Sequence, residues 1–443
     1  GSSVAVGGDL RPSTPRIMAA AAKAIIDSGL QVINCGPLPS PALALYGIAA
    51  GVPSVMVTGS HIPDDRNGIK YNTAAGEITK DDEAGITSQR VSVPDMLFDV
   101  NGSLADQFGL PEAETEARVQ YVQRYLGFFS QNCLAGKKVA LYEHSSVARE
   151  VLGEIFEGLG AQVDRFGFSD AFIPVDTEAI RDEDIALARI YASEHDVDCI
   201  ISADGDGDRP LISDEHGEWL RGDVAGILCA HYLRADAVVT PVSCNSALEK
   251  SGFFREVSRT RIGSPYVIAG MQAAIQNGSP CVVGYEANGG FLLGTALSRF
   301  DEKLAPLMTR DAAILQICIV LLSIQEKTTI SNLAALLPQR FTASDRLKNF
   351  PTDISRNIIS SLCADDETSN KKEIKKLFGA LSGSVLGLDN TDGLRARFDS
   401  DEIIHLRPSG NAPEFRCYTE AATPERAIEL NKACIEIMKK WQE

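Results

Sequence analysis

Strand-like and helix-like segments alternate along the chain up to about residue 340. A strand-like run at 31–36 lies between helical patterns at 15–30 and 41–51. Farther on, a strand at 161–166 lies between helical patterns at 147–159 and 182–194. Repeated strand–helix units predict layered α/β domains. After about residue 341 the pattern changes to a helix, antiparallel strands and a closing amphipathic helix, which predicts a compact α+β domain.

Length and charge restrict the classes of protein that remain. A chain of 443 residues is too long for one hydrophobic core, so we expect several domains. A net charge of −18 argues against a nucleic-acid or acidic-membrane partner. No apolar stretch is long enough to cross a bilayer, and no signal peptide is visible. The cysteines show no metal-type pairs and several lie in apolar runs, so we expect a cytoplasmic protein.

Alternating aspartates follow one of the predicted strands. The sequence from 198 to 209 reads DCIISADGDGDR, so Asp204, Asp206 and Asp208 come directly after an apolar run. Charges this close repel each other, and they are best explained by a hard divalent cation, which prefers oxygen ligands. The intervening glycines let the backbone curl so that the three side chains can converge.

Two other interpretations of this loop stay open. The first is an acidic surface turn without a ligand. The second is a calcium loop of the EF-hand type, in which the aspartates take positions one, three and five and Glu215 takes position twelve. Arg209 stands where that loop needs glycine, and a strand leads in instead of a helix, so both features argue against the calcium loop.

A second polar loop carries a possible nucleophile. Residues 55–72 read VMVTGSHIPDDRNGIKYN, which places Ser60 and His61 after an apolar strand and Lys70 ten residues after the serine. A serine needs a neighbouring base or a metal to act as a nucleophile or phosphoryl carrier. It does not lie in a GxSxG turn, which argues against acyl hydrolase chemistry. A capping serine beside an exposed histidine is the alternative.

A third loop offers polar groups that suit a sugar. Residues 282–294 read VVGYEANGGFLLG, so a strand leads to Glu286 and Asn288 in a glycine-rich turn. A carboxylate and an amide supply acceptors and donors for hydroxyl groups. An ordinary hairpin with a polar tip would show the same pattern.

A fourth loop has the composition of a phosphate site. Residues 406–421 read LRPSGNAPEFRCYTEA, a tight turn between two apparent strands. Hydroxyl, amide, guanidinium and freed backbone N–H groups would make a fixed phosphate cradle there. The residues concerned are Arg407, Ser409, Gly410, Asn411 and Arg416. A solvated hairpin with incidental arginines is the alternative.

Taken together and in this order, the four loops resemble those of the α-D-phosphohexomutase family, the phosphomannomutase and phosphoglucomutase enzymes, over nearly the whole chain. The resemblance implies that Ser60 is the phosphorylated serine and a metal ligand, and that Asp204, Asp206 and Asp208 hold Mg²⁺. It implies that Lys70 transfers protons, and that His61 and Arg209 orient the serine and metal loops. The substrate-binding residues implied are Arg261, Glu286, Asn288, Arg407, Ser409, Gly410, Asn411 and Arg416.

The activity implied is that of a phosphomannomutase, an isomerase of carbohydrate metabolism. It would interconvert hexose 6-phosphate and hexose 1-phosphate through a phosphoserine enzyme and a hexose 1,6-bisphosphate, as a monomer or homodimer. Phosphoglucomutase or phosphoglucosamine mutase specificity stays open. A metal-dependent sugar phosphatase and a non-catalytic sugar-phosphate binding protein also stay open.

The resemblance also implies a fold of three related α/β domains with mixed sheets plus a C-terminal α+β domain, around a central cleft. The expected divisions are 1–133, 134–235, 236–345 and 346–443. These domains would carry the phosphoserine, metal, sugar and phosphate loops in turn. The cleft would be positive within an acidic protein, because it would gather Lys70, Arg209, Arg261, Arg407 and Arg416.

Some positions depart from the family pattern. Many members have a histidine shortly after the sugar-loop glutamate, and Gly290 stands there, so that acid or base role cannot be carried over. Ile62 replaces a usual asparagine, and Ala412 stands where the phosphoglucosamine mutase branch has glutamate. The family opens with a strand and an arginine-bearing loop before the sequence that resembles VGGDLRPS at 6–13, so we expect that opening segment to be absent.

Overall fold

The fold is mixed α/β, as the sequence predicts, and is seen in a computed structural model that describes residues 2–94, 97–106, 108–299, 302–364, 366–410 and 413–441. The chain forms two compact units. The first contains Gly1–Val238 and Ile268–Ala334, and the second contains Val239–Val267 and Ala335–Glu443. The finer division into four domains stays a prediction.

The N-terminal sheet places the serine loop. Its strands are β1 (Ser3–Gly8), β2 (Gln31–Pro37), β3 (Ser54–Val57), β4 (Ile69–Thr73) and β5 (Gly76–Glu77), with helices α1 (Thr14–Asp27), α2 (Ser40–Ala50), α3 (Lys80–Thr87) and α4 (Glu116–Leu126). The order is β2-β1-β3-β4-β5, with β1 parallel to β2 and β3, and β3 antiparallel to β4. Val6, Met18 and Val57 form part of the core beneath this sheet. The serine loop therefore joins two paired strands whose ends are fixed.

The next sheet places the aspartate loop. Its strands are β6 (Lys138–His144), β7 (Gln162–Phe168), β8 (Cys199–Ala203) and β9 (Pro210–Ile212), with helices α5 (Arg149–Gly158) and α6 (Asp182–Glu194). The order is β7-β6-β8-β9, and only the β8–β9 pair among the paired strands of this sheet is antiparallel. Helix α6 has the predicted bounds, and α5 begins two residues later than predicted at Val147. The aspartates lie in the short connection between β8 and β9.

The middle of the chain holds the sugar loop. Its helices are α7 (Gly222–Tyr232), α8 (Ala247–Lys250), α9 (Ser264–Gln276), α10 (Ala312–Glu326) and α11 (Ile330–Leu333). Its strands are β10 (Ala237–Pro241), β11 (Glu256–Thr260), β12 (Val282–Tyr285), β13 (Phe291–Leu293), β14 (Leu297–Arg299), β15 (Glu302–Leu304) and β16 (Leu307–Asp311). Strands β12 and β13 form an antiparallel hairpin, and β13 also pairs with β16. The sugar loop lies at the tip of this hairpin.

Helix α10 supports the aspartate loop from below. It is buried over most of its length, as its apolar sequence predicts. Gln316 is a buried polar residue of this helix. Its Nε2 donates to the carbonyl oxygens of Ser202 at 2.5 Å and Leu211 at 3.0 Å. These two residues lie in β8 and β9, so a buried amide joins the strands on both sides of the aspartates.

The C-terminal segment is an α+β layer, as predicted. Its strands are β17 (Phe341–Lys348), β18 (Val385–Asp389), β19 (Leu394–Phe398), β20 (Ile403–Pro408) and β21 (Glu414–Ala421), with helices α12 (Thr352–Leu362), α13 (Glu367–Ser382) and α14 (Pro424–Lys439). The sheet is antiparallel in the order β17-β21-β20-β19-β18. Phe350, Phe378 and Phe415 are in its core. The predicted phosphate loop is the β20–β21 turn.

Within the described residues, no single helix has both the length and the apolar character needed to span a bilayer. One bent pair, Ala312–Glu326 with Ile330–Leu336, meets those criteria jointly, by length and composition alone, and it turns by 86° at the break.

Candidate active site

The serine loop presents Ser60 in an unusual backbone conformation. Its φ is 53°, in the left-handed region that a serine adopts only when its surroundings hold it there. The N–H of Ser60 donates to Thr58 Oγ1 at 2.8 Å, and its hydroxyl donates to Asp204 Oδ2 at 2.5 Å. The side chain is buried. The loop therefore directs the serine hydroxyl onto the aspartate loop.

Arg11 holds the serine loop in place. Its Nε donates to Asp9 Oδ2 at 2.9 Å, and its Nη2 donates to the carbonyl oxygen of Ser60 at 2.8 Å. Its Nη1 donates to the carbonyl oxygens of Pro63 at 2.7 Å and Arg66 at 3.1 Å. A buried guanidinium thus fixes three points along one loop, which accounts for the strained serine backbone.

The three aspartates form one buried group. One carboxylate oxygen from each lies within 4.8 Å of the other two. Asp204 Oδ1 accepts from the backbone N–H groups of Asp208 and Arg209, each at 3.2 Å. Among the described residues, the Oδ1 atoms of Asp206 and Asp208 are buried and have no hydrogen-bond partner. Orphaned carboxylate oxygens beside a third carboxylate fit a hard divalent cation, which would complete their contacts.

The pKa of Asp204 reflects this crowding. Burial, and then the charges of Asp206 and Asp208, raise the pKa of Asp204 to about 8. Burial alone would also raise the pKa of Asp208, but the charges of Arg310 and Lys70 outweigh it and lower that pKa below its ordinary range. A bound cation would relieve the repulsion among the three carboxylates.

Glu215 does not join the aspartates. Its two carboxylate oxygens accept from Ser331, with Oε1 2.5 Å from the hydroxyl oxygen and Oε2 3.2 Å from the backbone nitrogen. The residue that would take position twelve of a calcium loop is therefore committed to the start of α11, and the calcium-loop alternative has no support.

Lys70 joins the serine and aspartate loops. It lies in β4 opposite Met56, and its Nζ donates to Asp206 Oδ2 and Asp208 Oδ2, each at 2.6 Å. Burial would lower the pKa of Lys70, but the charges of these two aspartates outweigh it and raise the pKa. The side chain of Lys70 is 31% exposed, whereas those of Asp206 and Asp208 are 0% and 2% exposed.

His61 and Arg209 form a second link between these loops. Arg209 Nη1 donates to His61 Nδ1 at 2.7 Å. Burial, and then the charge of Arg209, lower the pKa of His61 to about 4. The imidazole is therefore neutral at neutral pH, and it acts as an acceptor that holds the arginine beside the aspartates.

The sugar loop is a tight turn with both predicted residues buried. The N–H of Glu286 donates to the carbonyl oxygen of Gly290 at 3.1 Å, and Asn288 Oδ1 accepts from the N–H of Gly290 at 2.8 Å. The carbonyl oxygen of Asn288 accepts from Thr177 Oγ1 at 2.8 Å. The oxygen of the Asn288 side chain thus maintains the turn, and the carboxylate of Glu286 is the group that the turn presents.

The predicted phosphate loop lies in the second unit. Arg407 and Arg416 are cross-strand partners in β20 and β21. Their guanidinium groups donate to carboxylates, Arg407 Nε to Asp392 Oδ2 at 2.9 Å and Arg416 Nη2 to Glu414 Oε2 at 3.2 Å. Ser409 is buried and its N–H donates to the carbonyl oxygen of Glu414 at 2.9 Å. The two strands therefore place two guanidinium groups side by side next to the turn.

Arg261 contacts the turn between β18 and β19, which also binds Arg407. Its Nε donates to the carbonyl oxygen of Thr391 at 3.2 Å. The adjacent N–H of Ile262 donates at 3.0 Å to the Asp392 carboxylate oxygen that also accepts from Arg407. Gly410 is exposed at the turn, whereas the predicted ligand Asn411, like Ala412, lies outside the described residues.

Known proteins are similar to this chain over nearly its whole length. The family profile described as phosphoglucomutase/phosphomannomutase, alpha/beta/alpha domain I, matches residues 1–92, and that of domain III matches residues 221–341. A phosphomannomutase of Sinorhizobium fredii is 42% identical over 430 residues, which are 97% of this chain and 89% of the relative. A phosphomannomutase of Salmonella muenchen is also 42% identical, over 97% of this chain and 86% of the relative.

The chain belongs to the phosphoglucomutase/phosphomannomutase family. It is a phosphohexomutase of the phosphomannomutase type, and thus an isomerase of carbohydrate metabolism. A phosphoglucosamine mutase of Listeria monocytogenes is more distant, at 24% identity over 96% of this chain and 87% of the relative.

Solved structures agree on the fold. A phosphoglucomutase/phosphomannomutase family protein of Burkholderia thailandensis superposes with a TM-score of 0.73 at 19% identity, over 100% of this chain and 90% of that one. An N-acetylphosphoglucosamine mutase of Aspergillus fumigatus, in complex with GlcNAc-6P and magnesium, superposes with a TM-score of 0.57 at 14% identity, over 98% and 82%. The phosphohexomutase fold predicted from the four loops is therefore confirmed.

In this phosphohexomutase, the sequence does not predict two residues of the site, Ser40 and Arg310. Ser40, at the start of α2, donates its hydroxyl to Asp206 Oδ2, and its N–H donates to the carbonyl oxygen of Asp206 at 2.9 Å. Arg310 contacts the aspartate loop, and Arg11 clamps the serine loop. No local signal marks Ser40 or Arg310, because their partners lie 166 and 102 residues away along the chain.

Proposed function

We propose that this phosphohexomutase interconverts mannose 6-phosphate and mannose 1-phosphate, with Mg²⁺ as the cation and Ser60 as the phosphoryl carrier. The substrate is suggested by the relatives: both proteins that are 42% identical are phosphomannomutases, whereas the phosphoglucosamine mutases of Listeria monocytogenes and Granulibacter bethesdensis are 24% and 31% identical. The cation is suggested by the magnesium in the Aspergillus fumigatus structure, together with a ligand set made only of oxygen.

One observation carries the proposal. The hydroxyl oxygen of Ser60 lies 2.5 Å from a carboxylate oxygen of Asp204, within a group of three buried carboxylates. A serine used only for capping would bond to the backbone of its own loop. A serine that carries a phosphoryl group needs compensating positive charge beside it, and a cation held by these carboxylates would supply it.

The carboxylates that would hold the cation are those of Asp204, Asp206 and Asp208. When bound, Mg²⁺ would polarise the phosphoryl group on the serine and offset its charge. Lys70 Nζ presently bridges two of these carboxylates, so it competes with the cation for their oxygens.

The transfer itself needs one proton shuttle. As the bond between phosphorus and Ser60 Oγ breaks, the bond between phosphorus and the sugar oxygen forms, which gives a hexose 1,6-bisphosphate. The other phosphoryl group of that bisphosphate then returns to Ser60 Oγ, which restores the phosphoserine and leaves the isomeric monophosphate. Lys70, protonated in this arrangement, delivers a proton to Ser60 Oγ and takes up the proton that leaves the sugar hydroxyl. Arg209 is proposed to neutralise charge at the aspartate loop, with neutral His61 holding it there.

Other residues are proposed to hold the sugar. Glu286 would accept a hydrogen bond from a sugar hydroxyl, with Asn288 maintaining the turn that presents it. The phosphate that is not being transferred would bind the loop at 407–411. The residues proposed for that phosphate are Arg261, Arg407, Ser409, Gly410, Asn411 and Arg416. Paired guanidinium groups suit a phosphate because they can donate bidentate hydrogen bonds.

A coupled assay tests the proposal. Mannose 1-phosphate, glucose 1-phosphate and glucosamine 1-phosphate are compared in parallel with wild type, Ser60→Ala and Ser28→Ala, the last altering an exposed serine that donates to Ala24 O. We expect mannose 1-phosphate to be the best substrate, and Ser60→Ala to lose nearly all turnover while it still binds sugar phosphate.

Two results of that assay would contradict the proposal. Full activity in Ser60→Ala would remove the carrier, since Ser28→Ala controls for the loss of a hydroxyl elsewhere. Release of free phosphate without isomerised sugar would indicate the phosphatase alternative instead.

A further inference from the structure

The side chain of Arg310 passes over a glycine of the sugar loop. A Cβ added at Gly290 would lie 2.6 Å from Arg310 Cγ, and even closer to Arg310 Cδ. The φ of Gly290 is outside the left-handed region, unlike that of its neighbour Gly289, which is 84°. Glycine is therefore required at 290 by space and not by backbone conformation, and the space is taken mainly by Arg310, with Asn288 Oδ1 at 2.9 Å.

The guanidinium of Arg310 bridges two loops. Its Nε and Nη2 donate to Asp208 Oδ2 at 3.0 and 2.8 Å, and its Nη1 donates to Glu286 Oε2 at 3.0 Å. The side chain of Arg310 is 13% exposed, and those of the two carboxylates are 2% and 5% exposed. Without the arginine, the buried carboxylate of Glu286 would lose its guanidinium partner, whereas Asp208 would keep Lys70 as a partner.

The backbone that delivers Arg310 is fixed on both sides. Thr309 Oγ1 donates to Glu77 Oε1 in β5 at 2.7 Å. The carboxylate of Asp311 accepts from the hydroxyl groups of Tyr121, at 2.6 Å, and Tyr125 in α4. Side chains alternate in direction along a strand, so Thr309 and Asp311 anchor β16 on one face while Arg310 projects from the other.

We propose that Arg310 is a positioning residue that locks the sugar loop to the aspartate loop, so that cation binding and hexose binding are coupled. This inference rests on the proposed function, in which Asp208 is a cation ligand and Glu286 a sugar ligand. A cation held by Asp208 Oδ1, which has no hydrogen-bond partner among the described residues, would leave Oδ2 on Arg310, and Arg310 would hold the Glu286 carboxylate that is proposed to bind the sugar. By thermodynamic reciprocity, hexose phosphate must then tighten cation binding as much as the cation tightens hexose binding.

The fork of an arginine is needed for this role. Three N–H groups at fixed angles reach two carboxylates at once, whereas the single ammonium of a lysine cannot reproduce that planar geometry. Arg310→Lys should therefore keep more of the coupling than Arg310→Met but less than wild type.

Calorimetric titration of mannose 1-phosphate, with and without Mg²⁺, tests the inference without requiring turnover. The proteins compared are wild type, Arg310→Met, Arg310→Lys, Gly290→Ala and the control Arg189→Met, which removes an arginine from a bidentate pair with Glu218 on the surface. We expect Mg²⁺ to tighten wild-type binding about tenfold, within the usual range of coupling between sites. The tightening should fall to about twofold in Arg310→Met and Gly290→Ala, and stay unchanged in Arg189→Met.

Retention of the wild-type Mg²⁺ effect in both Arg310→Met and Gly290→Ala would overturn the inference, and so would a wild-type affinity that Mg²⁺ does not change. If Arg310→Met does not fold, Arg310→Lys and Gly290→Ala decide together, and a full wild-type Mg²⁺ effect in both would overturn the inference. Gly290→Ala alone does not suffice, because its Cβ would also lie 2.9 Å from Asn288 Oδ1. A wild type that binds with the Mg²⁺ effect but does not isomerise the sugar would instead contradict the proposed function and leave the coupling in place.

Discussion

Replacement of Arg11 by methionine should loosen the serine loop far more than it disturbs the rest of the molecule. Methionine removes every side-chain donor and also the contact of the guanidinium with the ring of Phe172, whose centroid lies 4.1 Å from Arg11 Cζ. The backbone N–H at position 11 still donates to Asp9 Oδ1. The lost bonds are those to the Asp9 carboxylate and to three carbonyl oxygens of the loop.

The expected cost follows from which partners are buried. Breaking a buried ion pair by removing one partner costs about 3–5 kcal/mol. The low end applies here, because Asp9 keeps donors from Thr14 and Thr58. The carbonyl oxygen of Ser60 is left without its charged donor at about 1 kcal/mol or more. Pro63 and Arg66 are exposed, so water replaces those bonds at little cost. The total is about 4 kcal/mol, or about a 1000-fold change in an opening equilibrium.

Hydrogen exchange measured by mass spectrometry checks this value. The backbone N–H groups of Thr58, Ile62 and Arg66 are bonded within the loop, so a peptide that covers 58–68 reports its opening. We expect exchange in Arg11→Met to rise by about 100- to 1000-fold there. Arg16→Met is the control, because exposed Arg16 has a single bond to the carbonyl oxygen of Asn101. Equal protection of 58–68 in Arg11→Met and wild type would refute the reasoning.

Three further predictions concern the cation, acid stability and a buried hydroxyl. Asp206→Asn should lower turnover at least about 100-fold and weaken the dependence of activity on Mg²⁺, whereas the control Glu215→Gln should leave the Mg²⁺ titration unchanged. A changed titration in Glu215→Gln with an unchanged one in Asp206→Asn would restore the calcium-loop alternative. Burial lowers the pKa of His144 to about 4 from its ordinary 6.5, so the contribution of this residue to stability is present above pH 6.5 and is lost as pH falls toward 4. In urea unfolding, His144→Gln should remove about 2 kcal/mol of the difference in unfolding free energy between pH 7 and pH 5. An unchanged difference would contradict this. Tyr121→Phe leaves Asp311 with one tyrosine donor fewer and should lower the free energy of unfolding by about 1–2 kcal/mol, measured against Tyr46→Phe; equal losses would contradict the anchoring of β16.

The elements that the sequence predicts well carry strong local signals. Helix α6 begins with three acidic residues, Asp182, Glu183 and Asp184, which favour a helix N-terminus. The strands before the serine and aspartate loops are short apolar runs that end in glycine and polar residues, so their loops could be located. Strand β17 was missed because its sequence, FTASDRLK, is half polar and lies at an edge of its sheet, where burial imposes little pattern.

The site was predictable loop by loop but not in its cross-connections. Each loop follows a strand and has its own composition, which is a local property. Arg310 and Ser40 act on residues more than a hundred positions away, and neither has neighbours of unusual composition. The sequence shows that Gly290 lacks the side chain that many family members have at this position. Only the fold shows that the side chain of Arg310 occupies the space beside it.

The central claim is that the hydroxyl of Ser60 carries the phosphoryl group beside a cation held by three aspartates. Mass spectrometry of peptides from enzyme incubated with Mg²⁺ and a hexose 1,6-bisphosphate tests it most directly, with Ser60→Ala treated in the same way. We expect a single phosphate on the wild-type peptide that contains Ser60 and none on the variant. The wild-type peptide should stay unmodified when Mg²⁺ is chelated before the incubation. Phosphate on another residue, or an unmodified wild type that still isomerises mannose 1-phosphate, would contradict the account.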